Sequence, residues 1–190
     1  IQVSNNGGNS YTSYGIGGGN LNSVYFTDEN TGWAVGDGGR IAKTTNSGVT
    51  WTSTSPFGLT DLTGVKFTGA LTGYACGSGG NVLKTTDGGA SWSTYITGTT
   101  MNLLSIDASG TTIIATGVDG KIFKYNGSIW STIDYKSTAK PEVRSVAMLN
   151  PNAFYTCGGG GFINVTADGG ATRSYQQNPM MGPLSDIYMY

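Results

Sequence analysis

TTNSGVTW runs from Thr44 to Trp51 and TTDGGASW from Thr85 to Trp92, two near-copies whose closing tryptophans stand 41 residues apart. The same box recurs as SNNGGNSY (Ser4 to Tyr11), as a shortened KYNGSIW (Lys124 to Trp130) and as TADGGATR (Thr166 to Arg173), five copies in all. A second landmark keeps the step: VGDGGRI, CGSGGNV, TGVDGKI and CGGGGFI place Gly36, Gly77, Gly117 and Gly158 at intervals of 41, 40 and 41. A third is an alternating apolar stretch, found five times: LNSVYF from Leu21, LTGVKF from Leu62, LLSIDA from Leu103, VRSVAM from Val143 and LSDIYM from Leu184. A fixed step of this size marks a repeat architecture rather than a loop used twice.

Each unit reads as strand, short loop, strand, Gly-rich turn, strand, Asx-Gly turn, strand, with the period-2 alternation of half-buried strands. In the unit from Leu21 the strands are about LNSVYF, GWAVG, RIAKT and TWTST. Four antiparallel strands per repeat predict an all-β chain, a β-propeller of four-stranded antiparallel blades. In the box, the Asn or Asp side chain accepts hydrogen bonds from turn amides just ahead. Glycine supplies a conformation that other residues avoid, and the hydroxyls tie the hairpin ends. The structural box residues are therefore Asn6, Asn46, Gly48, Trp51, Asp87, Gly89, Trp92, Asn126, Trp130, Asp168 and Gly170, with Trp51 and Trp92 expected between blades.

The T-x-N/D-x-G-x-T/S-W box resembles the Asp-box, or bacterial neuraminidase repeat, of sialidase-type and sortilin-type propellers. The fuller pattern G-W-A-V-G-x-G-G-x-I-x-K-T-T-N/D-x-G-x-T-W resembles more closely the repeat of the photosystem II assembly and stability factor propellers. Thr31 to Trp51 carries that pattern almost entire and Thr72 to Trp92 nearly so, whereas the third unit loses two box residues and the fourth ends in Arg173. The resemblance implies a propeller. It does not imply one task, because this repeat serves as a chassis for unrelated functions.

The repeats span approximately 21–61, 62–102, 103–142 and 143–183, leaving 1–20 and 184–190 to form a closing blade within a single domain, 1–190. Ile1 to Ser4 is expected as its third strand and Leu184 to Met189 as its first, a clasp that hides the ring's edges. Five blades, the last shared by the N- and C-termini, is the expected count. The second strand of that blade has no counterpart in the sequence. Either the blade has three strands, or the chain is a segment of a larger propeller, or a partner supplies the strand. Self-assembly through the terminal strands is one form of the last.

Composition bounds the function. Ten Lys and Arg against eleven Asp and Glu give a net charge near -1, which cannot supply the counterion release of sequence-independent nucleic-acid binding. No apolar run approaches the roughly 18 residues of a membrane span, so no membrane insertion is expected. The chain opens IQVSNNGG, without an initiator Met or a signal segment, and reads as a mature or excised chain. Richness in Gly, Asn, Thr and Tyr with only 11% charged residues leans toward an extracellular, secreted or virion/particle-surface protein.

Catalytic chemistry has thin material. There is no His, so the usual general base and the commonest metal ligand are both missing from the inventory, and no cofactor or metal is expected. Cys76 and Cys157 fall where other copies have Val35 and Thr116, and read as free buried thiols. A sialidase would need an arginine triad. Arg40, Arg144 and Arg173 follow a Gly-rich turn, sit in an inner strand and replace a box Trp, positions that should not converge. Glu29 and Glu142, in loops expected on opposite faces, make no carboxylate pair for glycoside cleavage.

Recognition remains. In a propeller the loops joining strand four to the next blade share a face with the turns joining strands two and three. From the short turns that face carries Asp37, Arg40, Asn81, Lys121 and Phe162. From the longer loops it carries Phe57, Tyr95, Tyr135 and Lys140, with Asp61, Met101, Pro141, Met180 and Met181 beside them. Aromatics among neutral polar groups suit a protein or a glycan. The expected function is a non-catalytic interaction or scaffold module that binds a protein partner through this face. A lectin-like propeller is the alternative, and a sialidase-type hydrolase a more distant one. A lectin built by repetition should repeat its contact residues, yet DGGR, SGGN, VDGK and GGGF end in four different side chains.

Overall fold

A computed structural model describes the chain except residues 5, 17, 57, 59, 135–140, 178–181 and 190. A two-stranded sheet comes first, β1 (Gln2–Val3) with β2 (Thr12–Ser13). Four antiparallel sheets of four strands follow, each wound in chain order. The first holds β3 (Leu21–Phe26), β4 (Gly32–Gly36), β5 (Arg40–Thr44) and β6 (Thr52–Thr54). The second holds β7 (Leu62–Phe67), β8 (Gly73–Gly77), β9 (Val82–Thr85) and β10 (Ser93–Thr94). The third holds β11 (Leu103–Ser109), β12 (Thr112–Gly117), β13 (Lys121–Tyr125) and β14 (Trp130–Asp134). The fourth holds β15 (Val143–Met148), β16 (Phe154–Gly158), β17 (Phe162–Thr166) and β18 (Ser174–Gln177). These are the blades of a five-bladed β-propeller, four whole and one partial.

Each inner strand carries the same irregularity. Its register against the second strand slips after the first residue, at Leu21/Ser23, Leu62/Gly64, Leu103/Ser105 and Val143/Ser145. A bulge re-aims the extra side chain. Asn22 Nδ2 thereby donates to Leu62 O at 2.8 Å, and Thr63 Oγ1 to Leu103 O at 2.8 Å, each joining one inner strand to the next. Asp107 makes a third tie, accepting from Met148 N at 2.7 Å and pairing with Lys66 at 2.9 Å.

The core lies between blades rather than within them. The second-strand residues Trp33 and Val35 pack under Leu62, Val65 and Phe67 of the next inner strand. Tyr74 and Cys76 lie under Leu103 and Ile106, and Ile114 lies under Val143 and Val146. Trp33 stacks on Phe67 at 3.6 Å between ring centroids, and Trp92 meets the same ring edge-on at 6.0 Å. The second strands end in glycine because nothing larger fits. A Cβ on Gly36 would sit 2.0 Å from Asn20 O.

The closing blade departs from expectation. Residues 184–189 are not a strand among the described residues, because no second strand is present for them to pair with. They nonetheless run along the fourth blade: Leu184 N donates to Gly158 O at 3.0 Å, Ile187 N to Ser145 Oγ at 3.2 Å, and Ser145 Oγ to Asp186. On the other side, Val3 of β1 reaches the first blade's box, where a Cβ on Gly48 would lie 2.9 Å from it. The first and third strand positions of blade five are thus occupied, with β2 as the fourth.

The missing strand leaves a measurable mark. Val65, Ile106 and Val146 are each 6% exposed under the preceding blade, whereas their counterpart Val24 is 58% exposed. Phe26 is 40% exposed against 1% for Phe67. The expectation that both box tryptophans are buried between blades therefore holds for Trp92, while Trp51 is only half-buried, stapled by Nε1 to Gly48 O at 2.9 Å and edge-on to Phe26. Trp92→Ala should cost about 3 to 5 kcal/mol in urea unfolding, and Trp51→Ala clearly less. Equal losses for the two variants would contradict the difference in packing between the seams.

Candidate interaction face

The two ends of the blades are built differently. At one end the boxes repeat side chain for side chain. Asn46 Oδ1 accepts from Thr44 Oγ1 at 3.0 Å and from Thr50 N at 2.9 Å, while Thr44 Oγ1 accepts from Gly48 N at 3.0 Å. Asp87 with Thr85, Ser91 and Gly89, and Asp168 with Thr166, Thr172 and Gly170, reproduce the pattern. Asn6 does so with Ser4 and Ser10, and Asn126 keeps only the amides of Ser128 and Ile129.

Two of the boxes also dock on the blade before them. Gly88 O accepts from Lys43 Nζ at 2.8 Å and Trp33 Nε1 at 3.3 Å, and Gly169 O from Lys124 Nζ at 3.1 Å. Gly89, at φ +80°, lies so close to this seam that a Cβ would sit 2.6 Å from Trp33 Nε1. Glycine is needed there on both counts.

The opposite end is repeated chiefly in backbone. In three of the four whole blades the turn between second and third strands is a single 3-10 turn, at Asp37–Gly39, Ser78–Gly80 and Gly159–Gly161, with the middle glycine at φ 66°, 70° and 76°, while the third blade turns through Val118 to Gly120 without one. All four turns lean on the residue preceding their own inner strand. Asp37 N donates to Asn20 O at 3.0 Å, Ser78 N to Asp61 O at 2.9 Å, Val118 N to Asn102 O at 3.3 Å and Gly159 N to Glu142 O at 3.0 Å. Asp61 Oδ1 and Asn102 Oδ1 also accept from Gly38 N and Gly79 N of the preceding blade, at 3.0 Å each. Asn20 and Asn102 were not among the sequence candidates. Their signal was position, one residue before every inner strand at the repeat step.

The side chains set on this frame differ from blade to blade. Asp37 accepts from Asn20 N and Nδ2 at 2.9 Å each. Arg40 lies by the 1–20 segment, where a Cβ on Gly19 would be 3.6 Å from its guanidinium. Asn81 Nδ2 donates to Ser78 O at 2.7 Å, and Lys121 pairs with Asp134. Tyr95 packs inward, 5.0 Å from the Tyr125 ring and under the Lys84 ammonium. Burial, with Tyr125 beside it, pushes its phenol up. Phe162 corrects the sequence reading. It is buried with Ile114, Ile122 and Val143 between blades three and four, so it offers no contact surface. Phe57, Tyr135, Lys140, Met180 and Met181 lie outside the described residues.

The remaining chemistry is local. Arg144 pairs with Glu142 at 3.2 Å and Arg173 donates to Asp134 O at 2.6 Å, so these two arginines and Arg40 are held by separate neighbourhoods. Cys76 and Cys157 are free and buried, and burial raises their thiols to about 12 and about 11.

No protein-family model and no curated protein sequence matches the chain. Among solved structures it is similar to YCF48 bound to D1 peptide, at 21% identity and a TM-score of 0.68, over 90% of this chain and 57% of that one. It is similar to the WD40 β-propeller domain of Doa1, at 16% identity and a TM-score of 0.63, over 82% of this chain and 54% of that one. It is also similar to an ancestral GH74 enzyme, at 20% identity and a TM-score of 0.70, over 85% of this chain and 24% of that one. All three are propellers longer than this chain, and at these identities the likeness is one of fold.

The boxes predict an acid response. Hydrogen bonds from Ser91 to Asp87, and from Thr172 to Asp168, hold both carboxyls down at about 2. A carboxyl depressed on folding stabilises the native state above its unfolded value, near 4, and that contribution is lost as pH falls toward about 2. The amide copies at Asn46 and Asn126 do not titrate. Urea midpoints of the Asp87→Asn/Asp168→Asn variant should therefore fall less between pH 4 and pH 2 than those of the parent, and parallel curves would remove the boxes from the acid response.

Proposed function

We propose that the chain is a non-catalytic scaffold, a secreted or particle-surface propeller of the Asp-box type that binds a protein partner through the face carrying Asp37, Arg40, Asn81 and Lys121. What carries the reading is the contrast between the two ends of the blades. A backbone repeated from blade to blade presents a different side chain each time, which suits one extended, asymmetric partner better than a set of equivalent small-ligand sites. The fold similarity to a propeller captured with a peptide supports a protein partner. The sequence has no histidine to serve as the usual general base.

A panned peptide library should yield ligands whose affinity falls at least tenfold in Arg40→Glu/Lys121→Glu, with unfolding unchanged. Hits on a glycan array competing with those peptides would favour the carbohydrate reading instead. Hydrolysis of a panel of glycosides that persists after mutation of Arg40, Arg144 and Arg173 would overturn the non-catalytic one.

A further inference from the structure

The third blade has a shorter inner hairpin than the other whole blades, and one backbone amide is left free by it. In the first, second and fourth blades, residues 27–31, 68–72 and 149–153 join the inner strand to the second. A carbonyl of each loop takes the amide that follows the box Asn or Asp. Ser47 N donates to Asn30 O at 3.0 Å, Gly88 N to Leu71 O at 2.8 Å and Gly169 N to Asn152 O at 2.7 Å. In the third blade only Gly110 and Thr111 stand between β11 and β12. That loop offers no carbonyl to the box, and Gly127 N donates to nothing among the described residues.

The residue before this amide is Asn126, exposed in the turn between β13 and β14. Its Oδ1 accepts from Ser128 N and Ile129 N at 3.0 Å each, while its Nδ2 makes no hydrogen bond among the described residues. The other box amides are gripped at nitrogen: Asn46 Nδ2 donates to Thr50 Oγ1 at 2.9 Å and Asn6 Nδ2 to Ser10 Oγ at 2.8 Å. Asn126 and Gly127 thus bring together the three groups that imide formation needs. The nucleophile is a backbone nitrogen unshielded by a side chain of its own residue. The carbonyl oxygen already faces two N–H donors, where negative charge develops in the tetrahedral intermediate. The leaving nitrogen is open to water.

We propose that Asn126–Gly127 is a self-modification site, at which the chain converts Asn126 through a cyclic imide to aspartate and isoaspartate. Gly127 N loses its proton to solvent base and bonds to Asn126 Cγ. The Cγ–Nδ2 bond breaks, and Nδ2 takes a proton from water and leaves as ammonia. One water then opens the five-membered imide. Cleavage of the new Cγ–N bond returns the original backbone with aspartate at 126, and cleavage at the main-chain carbonyl carbon of 126 routes the backbone through Cβ and Cγ. Nothing is oxidised or reduced. Either product adds one negative charge, and the aspartate product gives the third box the carboxylate that the second and fourth carry at Asp87 and Asp168. Those two Asp–Gly pairs are closed to the same route. Their glycine amides are tied, and hydrogen bonds hold both carboxyls down at about 2, ionised and so poor acceptors for a nucleophile. Asn126 lies at the box end of the blades, so the proposal does not rest on the loop-face reading.

The test incubates the folded chain at mildly alkaline pH. Anion exchange reads the added charge, and peptide mapping reads aspartate and isoaspartate at each Asn. Conversion at Asn126 should run at least tenfold faster than at Asn46 and than at Asn6, the other Asn followed by Gly. It should rise with pH and give both products. In urea, where the box contacts are gone, the rates at Asn126 and Asn6 should draw together, because the two share the same Asn–Gly chemistry. Asn126→Gln, whose longer side chain has to close a six-membered ring, should abolish the fast gain of charge. The proposal is overturned if Asn6 keeps pace with Asn126 in the folded chain, or if the preference for Asn126 is undiminished in urea. It is equally overturned if Asn126→Gln gains charge like the parent, or if aspartate is the only product at 126, which would mean direct hydrolysis.

Discussion

A propeller blade of this kind cannot bury its own second strand. Trp33 and Val35 are covered only because Leu62, Val65 and Phe67 belong to the blade that follows, and the same holds at the next two seams. Hydrophobic stabilisation is therefore a property of neighbours, as in other repeat arrays whose units contact only adjacent units. The bulged inner strands, the Asp107 ties and the boxes docked on Lys43 and Lys124 set the register in which that covering occurs. Where a second strand is missing, the next blade loses its cover, and Val24, Phe26 and Trp51 record the loss.

The two ends of each blade divide the work between them. Four of the five boxes repeat both backbone and side-chain bonds because each must close its own hairpin, and those of the second and fourth blades also seat on the blade before. The turns between second and third strands repeat chiefly in backbone, held by the carbonyls of Asn20, Asp61, Asn102 and Glu142. Side chains there are free to differ without disturbing the ring. A surface that varies on a frame that does not is how a repeat architecture acquires a specific partner.

Most of the fold was legible from spacing alone. LNSVYF, GWAVG and RIAKT coincide with β3, β4 and β5, because the alternation and the glycines that end each strand are local signals. The state of residues 184–189 was not legible, since a strand needs a partner that lies elsewhere in the chain or outside it. The candidate face was less legible for a related reason. Arg40, Asn81, Lys121 and Phe162 occupy one repeat position, and only the packing of blades three and four reveals that Phe162 turns inward. Tyr95 likewise reads as a loop aromatic until Tyr125 and Trp130 are placed beside it. Periodicity identifies equivalent positions. It does not say which of them a neighbouring blade will cover.

The two thiols give the ring an internal set of gauges. Cys76 sits in the seam between the second and third blades, and Cys157 faces the segment that begins the fifth, close to Asp186. Burial holds both almost entirely protonated near neutral pH, so neither alkylates nor oxidises readily while its seam is shut. The rate at which each one reacts thus becomes a clock for the parting of a particular pair of blades. One clock runs in the complete part of the ring and the other beside its incomplete blade, so the closure can be timed apart from the body it closes.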